Sequence, residues 1–430
     1  MNEFEIMDKF QKFHSKHKLQ HIKKFHGKLR SIPYSYCLLK DKDITRIRPI
    51  VSYYNHPLKE CYNYASRALA KIIKHYETNH STLWKTQDMK PCIKQIQKDL
   101  QQVYGKNTNF SILCGDIKNM YTELPHDEII KAVEFMINRT KAKTRRKHVT
   151  IERKKRGEIN LGKTSAVTSE SHTVLSFEKI LEICKFDIKN TYFTSLGQIL
   201  HQTKGVPMGS PGSPIYAICI CAYYEHLLHK KLKNFEDSGL DVTNRVRGLR
   251  YIDDLITFIA WDRNDPQGKD IVTDIEETIA LETYHPDMKL KLEDTSKNFG
   301  FLEGIIYMKK TQTQPNKIKI KYNNKNFPHL IQTGNIKYHT LQHRGSFITK
   351  QQAYAKIIGQ LYRIQRTVFS NKKTIKGILE WVEIAQKLHY TKSEILTAME
   401  KMAKKNPKPW AIIFIHFKKY WKLKRAEKGS

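Results

Sequence analysis

Two adjacent carboxylates stand inside the apolar run Leu249-Arg-Tyr-Ile-Asp-Asp-Leu-Ile-Thr-Phe-Ile259, and few folds can hold them there. Burying paired charges is costly unless a cation or complete hydrogen bonding compensates them. The segment Arg250–Trp261 therefore reads as two strands around a tight acidic turn, Tyr251-Ile-Asp-Asp254, with both carboxylates facing one cleft. Taken alone, the tetrapeptide fits an ordinary Asp-containing hairpin equally well.

A second element changes that balance. Ser111-Ile-Leu-Cys-Gly-Asp116 places one carboxylate at the end of an apolar strand, ahead of Ile117-Lys-Asn-Met-Tyr121. By itself Asp116 also suits a helix N-cap. A strand-end Asp and a hairpin Asp together can hold two Mg²⁺ ions about 4 Å apart, activating a 3′-hydroxyl and stabilising a leaving pyrophosphate. Asp116 and Asp253 are the expected principal ligands, with Asp254 supporting them and Mn²⁺ as a possible substitute ion.

The third element is Gly205-Val-Pro-Met-Gly-Ser-Pro-Gly-Ser-Pro214, where three prolines and three glycines make a stiff turn that another chain can approach closely. With Ser210 and Ser213 at the start of an apolar helix, it can lie against a base pair or a phosphate. A plain loop entering a helix is the alternative.

The remaining chain frames these elements. Residues 1–30 pattern as a basic amphipathic helix. Residues 36–52 read as strand, charged loop and strand, followed by helices over Pro57–Tyr76 and Met89–Val103. Helices are expected again over Asp127–Asn138, 172–185 and Pro214–Phe235, with a hairpin at 186–202. Lys289–Glu293 and Phe301–Met308 are expected to pair with each other. Residues 140–163 hold 10 Lys/Arg against 2 Asp/Glu with almost no apolar periodicity, which suggests an exposed insertion, either a solvated loop or a nucleic-acid contact. Residues 331–430 are mostly helical in pattern and hold 21 Lys/Arg against 5 Asp/Glu, the composition of a separate basic helical subdomain.

A net charge of +34 on 430 residues makes the folded chain repel itself, so a polyanionic partner is implied. Nucleic acid is the leading candidate and an anionic membrane surface the alternative. The seven cysteines form no Cys-x-x-Cys pair, which argues against a zinc site or a disulfide framework and for reduced thiols. The N-terminal residues carry no signal-peptide pattern, and the longest apolar stretches are too short to span a bilayer. An intracellular protein is expected. Arg153-Lys-Lys-Arg156 fits nuclear import, and fits a nucleic-acid contact equally well.

In their order, the Asp strand, the Gly/Pro turn with its helix and the Asp-Asp hairpin resemble the palm motifs of reverse transcriptases, a superfamily that includes telomerase catalytic subunits. The Tyr-x-Asp-Asp form is theirs; many viral RNA-copying enzymes carry Gly-Asp-Asp. Leu38-Leu-Lys40, then Ile47-Arg-Pro-Ile-Val-Ser52, resembles the fingers segment of Penelope-like reverse transcriptases. The Met208-Gly-Ser-Pro-Gly-Ser-Pro214 core and the tail with Gly359-Gln-Leu-Tyr-Arg363 and Leu388-His-Tyr390 are similar to theirs too.

That resemblance implies an α+β right-hand polymerase fold. Its parts would be an N-terminal basic helical extension (1–35), fingers (36–109), a palm with an antiparallel sheet (110–328) and a helical basic thumb (329–430). It implies RNA-dependent DNA synthesis from a primer 3′-hydroxyl, with RNA template, DNA primer or RNA–DNA duplex and dNTPs as partners, and no membrane. RNA-templated RNA synthesis and a catalytically retired nucleic-acid-binding protein are the alternatives. Implied metal ligands are Asp116, Asp253, Asp254 and the Ile117 carbonyl. Implied nucleotide contacts are Lys40, Arg48, Tyr121, Met208, Gly209 and Lys297, the last at a short spacing from Phe301. Tyr121 would be the bulky residue that excludes a ribose 2′-hydroxyl; a half-buried core residue is its alternative. Tyr251, Pro207, Ser210, Phe301, Leu302, Gly304 and Arg363 would meet primer or template.

Leu39 stands where these relatives have proline, and Pro207 where they often have a small residue; neither change removes a ligand. No Gly-Ile-Tyr…Tyr-Ile-Gly nuclease signature follows the thumb segment, which implies an endonuclease-lacking or freestanding member that primes at existing DNA ends.

Overall fold

Alternation along Thr108–Ile117 (β3) sets the centre of the molecule. The computed structural model describes residues 1–25, 31–40, 43–76, 80–154, 157–162, 168–235, 241–293, 298–311 and 315–426. Ahead of β3 come α1 (Glu3–Lys16), the hairpin β1 (Tyr34–Lys40) and β2 (Asp43–Ser52), α2 (Lys59–His75) and α3 (Met89–Tyr104). After it come α4 (Met120–Glu123), α5 (His126–Thr144), β4 (His148–Glu152), β5 (Ile159–Gly162), β6 (His172–Ser176) and α6 (Phe177–Lys189). Next are β7 (Tyr192–Ser195), β8 (Gln198–His201), α7 (Ser213–Lys233), β9 (Val246–Tyr251), β10 (Asp254–Asp262) and α8 (Gly268–Glu282). Then follow β11 (Leu290–Leu292), β12 (Phe299–Phe301), β13 (Gly304–Lys309) and β14 (Lys317–Tyr322). The chain closes with α9 (Asn326–Thr333), α10 (Lys350–Thr367), α11 (Asn371–Lys387), α12 (Lys392–Lys405) and α13 (Pro407–Ala426).

The central sheet has the order β11-β3-β10-β9, all antiparallel. Side chains alternate across it. Phe110, Ile112 and Cys114 of β3 join Ile256, Phe258 and Ala260 of β10 in a core with α3, β12, β13 and β14. Leu113 and Ile259 point the other way, to α7 and α8. Because both faces of β10 are covered, Leu255–Ala260 is a continuous buried run.

A larger core gathers α1, α2, α5, α6 and α7. Helix α1 begins with a reciprocal cap, Asn2 accepting from the Glu5 amide and Glu5 from the Asn2 amide, and buries Ile6, Phe10 and Phe13 on one face. The β1–β2 hairpin joins β7 and β8 in a second sheet, β2-β1-β7-β8. Helices α10–α13 form their own core around Leu361, Trp381, Met399 and Trp410. The architecture is α+β.

Three expectations are corrected. The basic segment 140–163 is not a plain loop: α5 continues to Thr144, and β4, flanked by β5 and β6, buries Val149 and Ile151 against the main core. Lysines and arginines dominate its composition and hide a short strand whose inward positions are apolar. Residues 172–176 are strand, and the helix starts at Phe177 under a Ser176 cap. Lys289–Glu293 does not pair with Phe301–Met308; β11 pairs with β3, whereas β13 pairs with β12 and β14.

All seven cysteines are free thiols, five of them buried. Among the described residues, no helix is long and apolar enough to cross a membrane.

Candidate active site

The β3–β10 register sets Asp254 directly opposite Asp116, and the Asp253 carbonyl accepts the Ile117 amide at 3.0 Å. The three carboxylates thus share one end of the central sheet. Burial, and then the nearby Asp116 carboxylate, raise the Asp253 pKa above the usual carboxylate range, while Arg48 opposes the shift. Lys118 spans both Asp116 oxygens, at 3.0 and 3.1 Å.

Hard carboxylate oxygens gathered at one end of a sheet are a donor set suited to a hard divalent cation, so these residues could hold Mg²⁺. Among the described residues, no group of three or more His, Cys, Asp or Glu side chains is gathered tightly enough to cage a metal. A cation here would complete its shell with oxygens from outside the protein, as Mg²⁺ does with water and phosphate. Ile117 buries its side chain beneath this end of β3.

The acidic turn is braced from behind. Ile252 takes φ +59, a left-handed conformation that is an outlier for a β-branched residue. Arg250 donates to its carbonyl at 3.0 Å. The Arg250 side chain is fully buried and ion-paired to Glu225 at 2.5 Å. Glu225 also accepts from Tyr284 at 2.9 Å and from the Ser81 amide at 2.7 Å, and Arg250 reaches Thr82 at 2.9 Å. Burial works most strongly against the Arg250 charge, but Glu225, Cys221 and Tyr284 together outweigh it and the pKa rises. No motif in the sequence assigns these residues a role. Their signal was present: a lone Glu within the apolar α7, and an Arg before the acidic turn, each need a partner to be buried.

Tyr121 is half-buried against the main core, with its phenol pushed up to about 12 by burial, then by Asp253 and Tyr251. Its ring therefore belongs to the carboxylate end of the sheet, beside Tyr251. The Gly/Pro turn is sewn to it: Val206 donates to the Tyr121 carbonyl at 2.6 Å, and a Cβ on Gly205 (φ +75) would sit 2.5 Å from that oxygen. The turn also binds the hairpin, because Val51 donates to the Met208 carbonyl at 2.8 Å. Gly209 (φ +133) has no room for a Cβ, which would overlap the Val51 carbonyl oxygen. Met208 is half-buried and Gly209 exposed.

Arg48 lies exposed on β2, within the field of Asp253. Lys40 ends β1 near the hairpin tip, half-exposed, after a register shift. Lys297 lies outside the described residues.

The expected primer and template contacts divide into two groups. Tyr251 and Leu302 are half-exposed, and Arg363 is exposed on α10, paired to Glu303 at 3.0 Å. Pro207, Ser210, Phe301 and Gly304 are turned inward instead. Pro207 accepts from the Ser213 hydroxyl at 2.7 Å. Ser210 donates to the buried Asp187 at 3.4 Å and accepts from the Gly212 amide at 3.1 Å. Phe301 is fully buried, and a Cβ on Gly304 would meet Ile320 at 2.8 Å. These four shape the turns that present their neighbours.

A carboxylate-bearing antiparallel sheet, a basic hairpin, a Gly/Pro turn tied to that hairpin and to α4, and a C-terminal helical bundle define an α+β chain. Among solved structures, it is similar to apo telomerase from Candida tropicalis: 13% identity over 90% of this chain and 61% of that one, TM-score 0.49. Telomerase from Candida albicans in complex with a TWJ fragment of telomeric RNA matches at 13% identity over 95% of this chain and 62% of that one, TM-score 0.49. The BmCPV RNA-dependent RNA polymerase matches at 12% identity over 71% of this chain and 25% of that one, TM-score 0.38. The chain spans about three fifths of the length of these telomerase chains. No protein-family model and no curated relative matches it.

Proposed function

We propose that the chain is an RNA-dependent DNA polymerase, a reverse transcriptase of Penelope-like kind, extending a primer 3′-hydroxyl with dNTPs. The observation that carries this reading is Asp254 opposite Asp116, with Asp253 at their turn and Arg48 and Tyr121 both in its field. Residues 36–109 would be fingers, 110–328 palm, 329–430 thumb and 1–35 an extension.

Asp116, Asp253, Asp254 and the Ile117 carbonyl would hold Mg²⁺, which when bound polarises phosphate oxygens and lowers the pKa of a coordinated hydroxyl. The protein's own groups do the placing. Arg48 forks onto phosphate oxygens while Lys40 supplies a point charge at the hairpin tip. The Tyr121 ring closes the sugar side of the pocket and leaves no space for a 2′-hydroxyl. The Glu225–Arg250 brace keeps the acidic turn in its strained shape, so the ligands need no reorganisation when substrate arrives. The exposed cations of α10–α13 would grip duplex phosphates, and the basic charge suits work on nuclear nucleic acid.

Primer extension by the full chain on RNA and on DNA templates, with dNTPs or NTPs and Mg²⁺ or Mn²⁺, tests this. Extension with dNTPs on an RNA template is the expected result. Equal use of NTPs would move the assignment to RNA synthesis, and tight binding with no extension to a retired binding protein.

A further inference from the structure

Asp187 is a buried carboxylate, and among the described residues no cation shifts its balance. It lies on α6, 3% exposed, beneath the Gly/Pro turn. Its Oδ2 accepts from the Tyr216 hydroxyl at 2.9 Å and from Ser210 at 3.4 Å, and its backbone carbonyl accepts from Thr191 at 3.1 Å. A Cβ on Gly212 would sit 2.5 Å from Oδ2, so the turn packs directly on the carboxylate.

Phenols and a thiol pack around it. Tyr53, ahead of α2, and Tyr62 on α2 feel its charge, and both phenols are raised above their usual range, first by burial and then by Asp187. Cys184 of α6 is pushed up to about 12, mainly by burial, with Tyr216 opposing. His56 stacks on Tyr53 at 4.8 Å and spends its Nδ1 on the Leu58 amide at 3.1 Å. Among the described residues no Lys, Arg or His enters the balance at Asp187 itself: burial raises it to about 7, against the pull of Tyr216 and Ser210.

The carboxylate reaches the proposed nucleotide pocket through bonds already described. Ser210 follows Met208 and Gly209, and Met208 is tied to Val51 of β2, the strand that carries Arg48. We propose that Asp187 is a positioning residue whose charge state sets how firmly the 205–213 turn presents Met208 and Gly209 to the incoming nucleotide. Ionised, it receives two charge-assisted hydrogen bonds from Ser210 and Tyr216; protonated, it holds them more weakly. The kinetic half of this rests on the polymerase reading above; the stability half does not.

The stability consequence has a definite sign. The folded chain keeps a proton on Asp187 that the unfolded chain releases near the ordinary carboxylate pKa of 3.8. The residue's contribution is therefore fully present below that value and is lost as pH rises to about 7.

The test uses the full chain and its Asp187→Asn and Ser210→Ala variants, compared from about pH 5 to about pH 8.5. Thermal unfolding is expected to show the wild type losing ground to Asp187→Asn as pH rises, with the step displaced to higher pH in Ser210→Ala. The nucleotide KM of the wild type should fall by about three- to tenfold across the same window, the scale of one strengthened hydrogen bond. Asp187→Asn should lack that fall, while kcat varies with pH alike in both. A melting difference that is flat with pH overturns the buried-proton assignment, whether or not the protein polymerises. A melting step with the same KM profile in both proteins overturns the positioning role alone. Absence of extension under every condition refutes the polymerase reading, and the melting comparison still decides the fate of Asp187.

Discussion

Arg250 donates to the carbonyl of Ile252 at 3.0 Å while its guanidinium is locked to Glu225, so the acidic turn hangs from a buried ion pair on α7. A left-handed Ile costs on the order of 1–3 kcal/mol and persists only where its surroundings fix it. Here the fixing group is one charged side chain, with Glu225 satisfied in turn by Tyr284 and Ser81. Removing one partner of such a pair strands the other. Glu225→Gln, similar in shape, is expected to cost about 3–5 kcal/mol and to abolish extension. The urea midpoint measures the first effect and primer extension the second; a midpoint within error of wild type sinks the brace.

Replacing Asp253 by Asn keeps its size and removes its charge. Extension should fall by about three orders of magnitude, equivalent to roughly 4 kcal/mol of transition-state stabilisation. Affinity for a primed template, read by fluorescence anisotropy, should stay within about threefold, since the proposed backbone grip would come from cations elsewhere. Normal extension by the variant would remove Asp253 from the metal site.

The strand-end Asp116 and the Asp253–Asp254 turn were legible because adjacent carboxylates in an apolar run have few cheap explanations. Their in-register pairing was not, since register depends on which strands meet. The expected pairing of Lys289–Glu293 with Phe301–Met308 failed for that reason: β11 found the open edge of β3. The insertion misled because its charges outnumber Val149 and Ile151, the inward residues that fix β4 in the core. Ser210 and Pro207 were expected to meet primer or template, yet an interior carboxylate, Asp187, draws Ser210 inward.

Tyr121 offers a test of product. Tyr121→Val opens the space beside Asp253 without charging the core. The preference for dNTPs over NTPs, compared through kcat/KM, should drop by at least about tenfold, the scale of losing one steric rejection. Unchanged discrimination would return Tyr121 to a core role.

Gly209→Ala probes the junction between turn and hairpin. Its Cβ would overlap the Val51 carbonyl oxygen, and φ +133 is unfavourable for alanine, so the turn must shift. Because Arg48 shares that strand, the nucleotide KM should rise by about tenfold, equivalent to some 1.4 kcal/mol of lost binding. Gly197→Ala is the control: φ is again positive, at +78, but a Cβ there meets nothing within 4 Å. If both variants raise KM alike, backbone strain is responsible and the Val51 contact carries no weight.

Grip on the duplex is the last consequence of the charge. Arg363 is 57% exposed although paired to Glu303, and Arg366 reaches Gln87 at 2.9 Å and lies over the Tyr362 ring. These residues, with Leu302, line a groove of about 270 Å³ between the 301–304 turn and α10. Neither arginine is buried, so phosphate contact would cost little desolvation, and each neutralised phosphate releases condensed counterion. Affinity for an RNA–DNA duplex should fall with salt along a log–log line whose slope is about −0.9 per phosphate contact. Replacing Arg363 and Arg366 together by Gln should flatten that slope by nearly 2. The Glu303 partner complicates the count, because losing the Arg363 pair leaves its negative charge less compensated, which lowers affinity without altering the number of contacts. Glu303→Gln separates these effects: it should raise affinity and leave the slope as it was. A double-arginine variant with the wild-type slope would place the duplex on another face of the helical bundle.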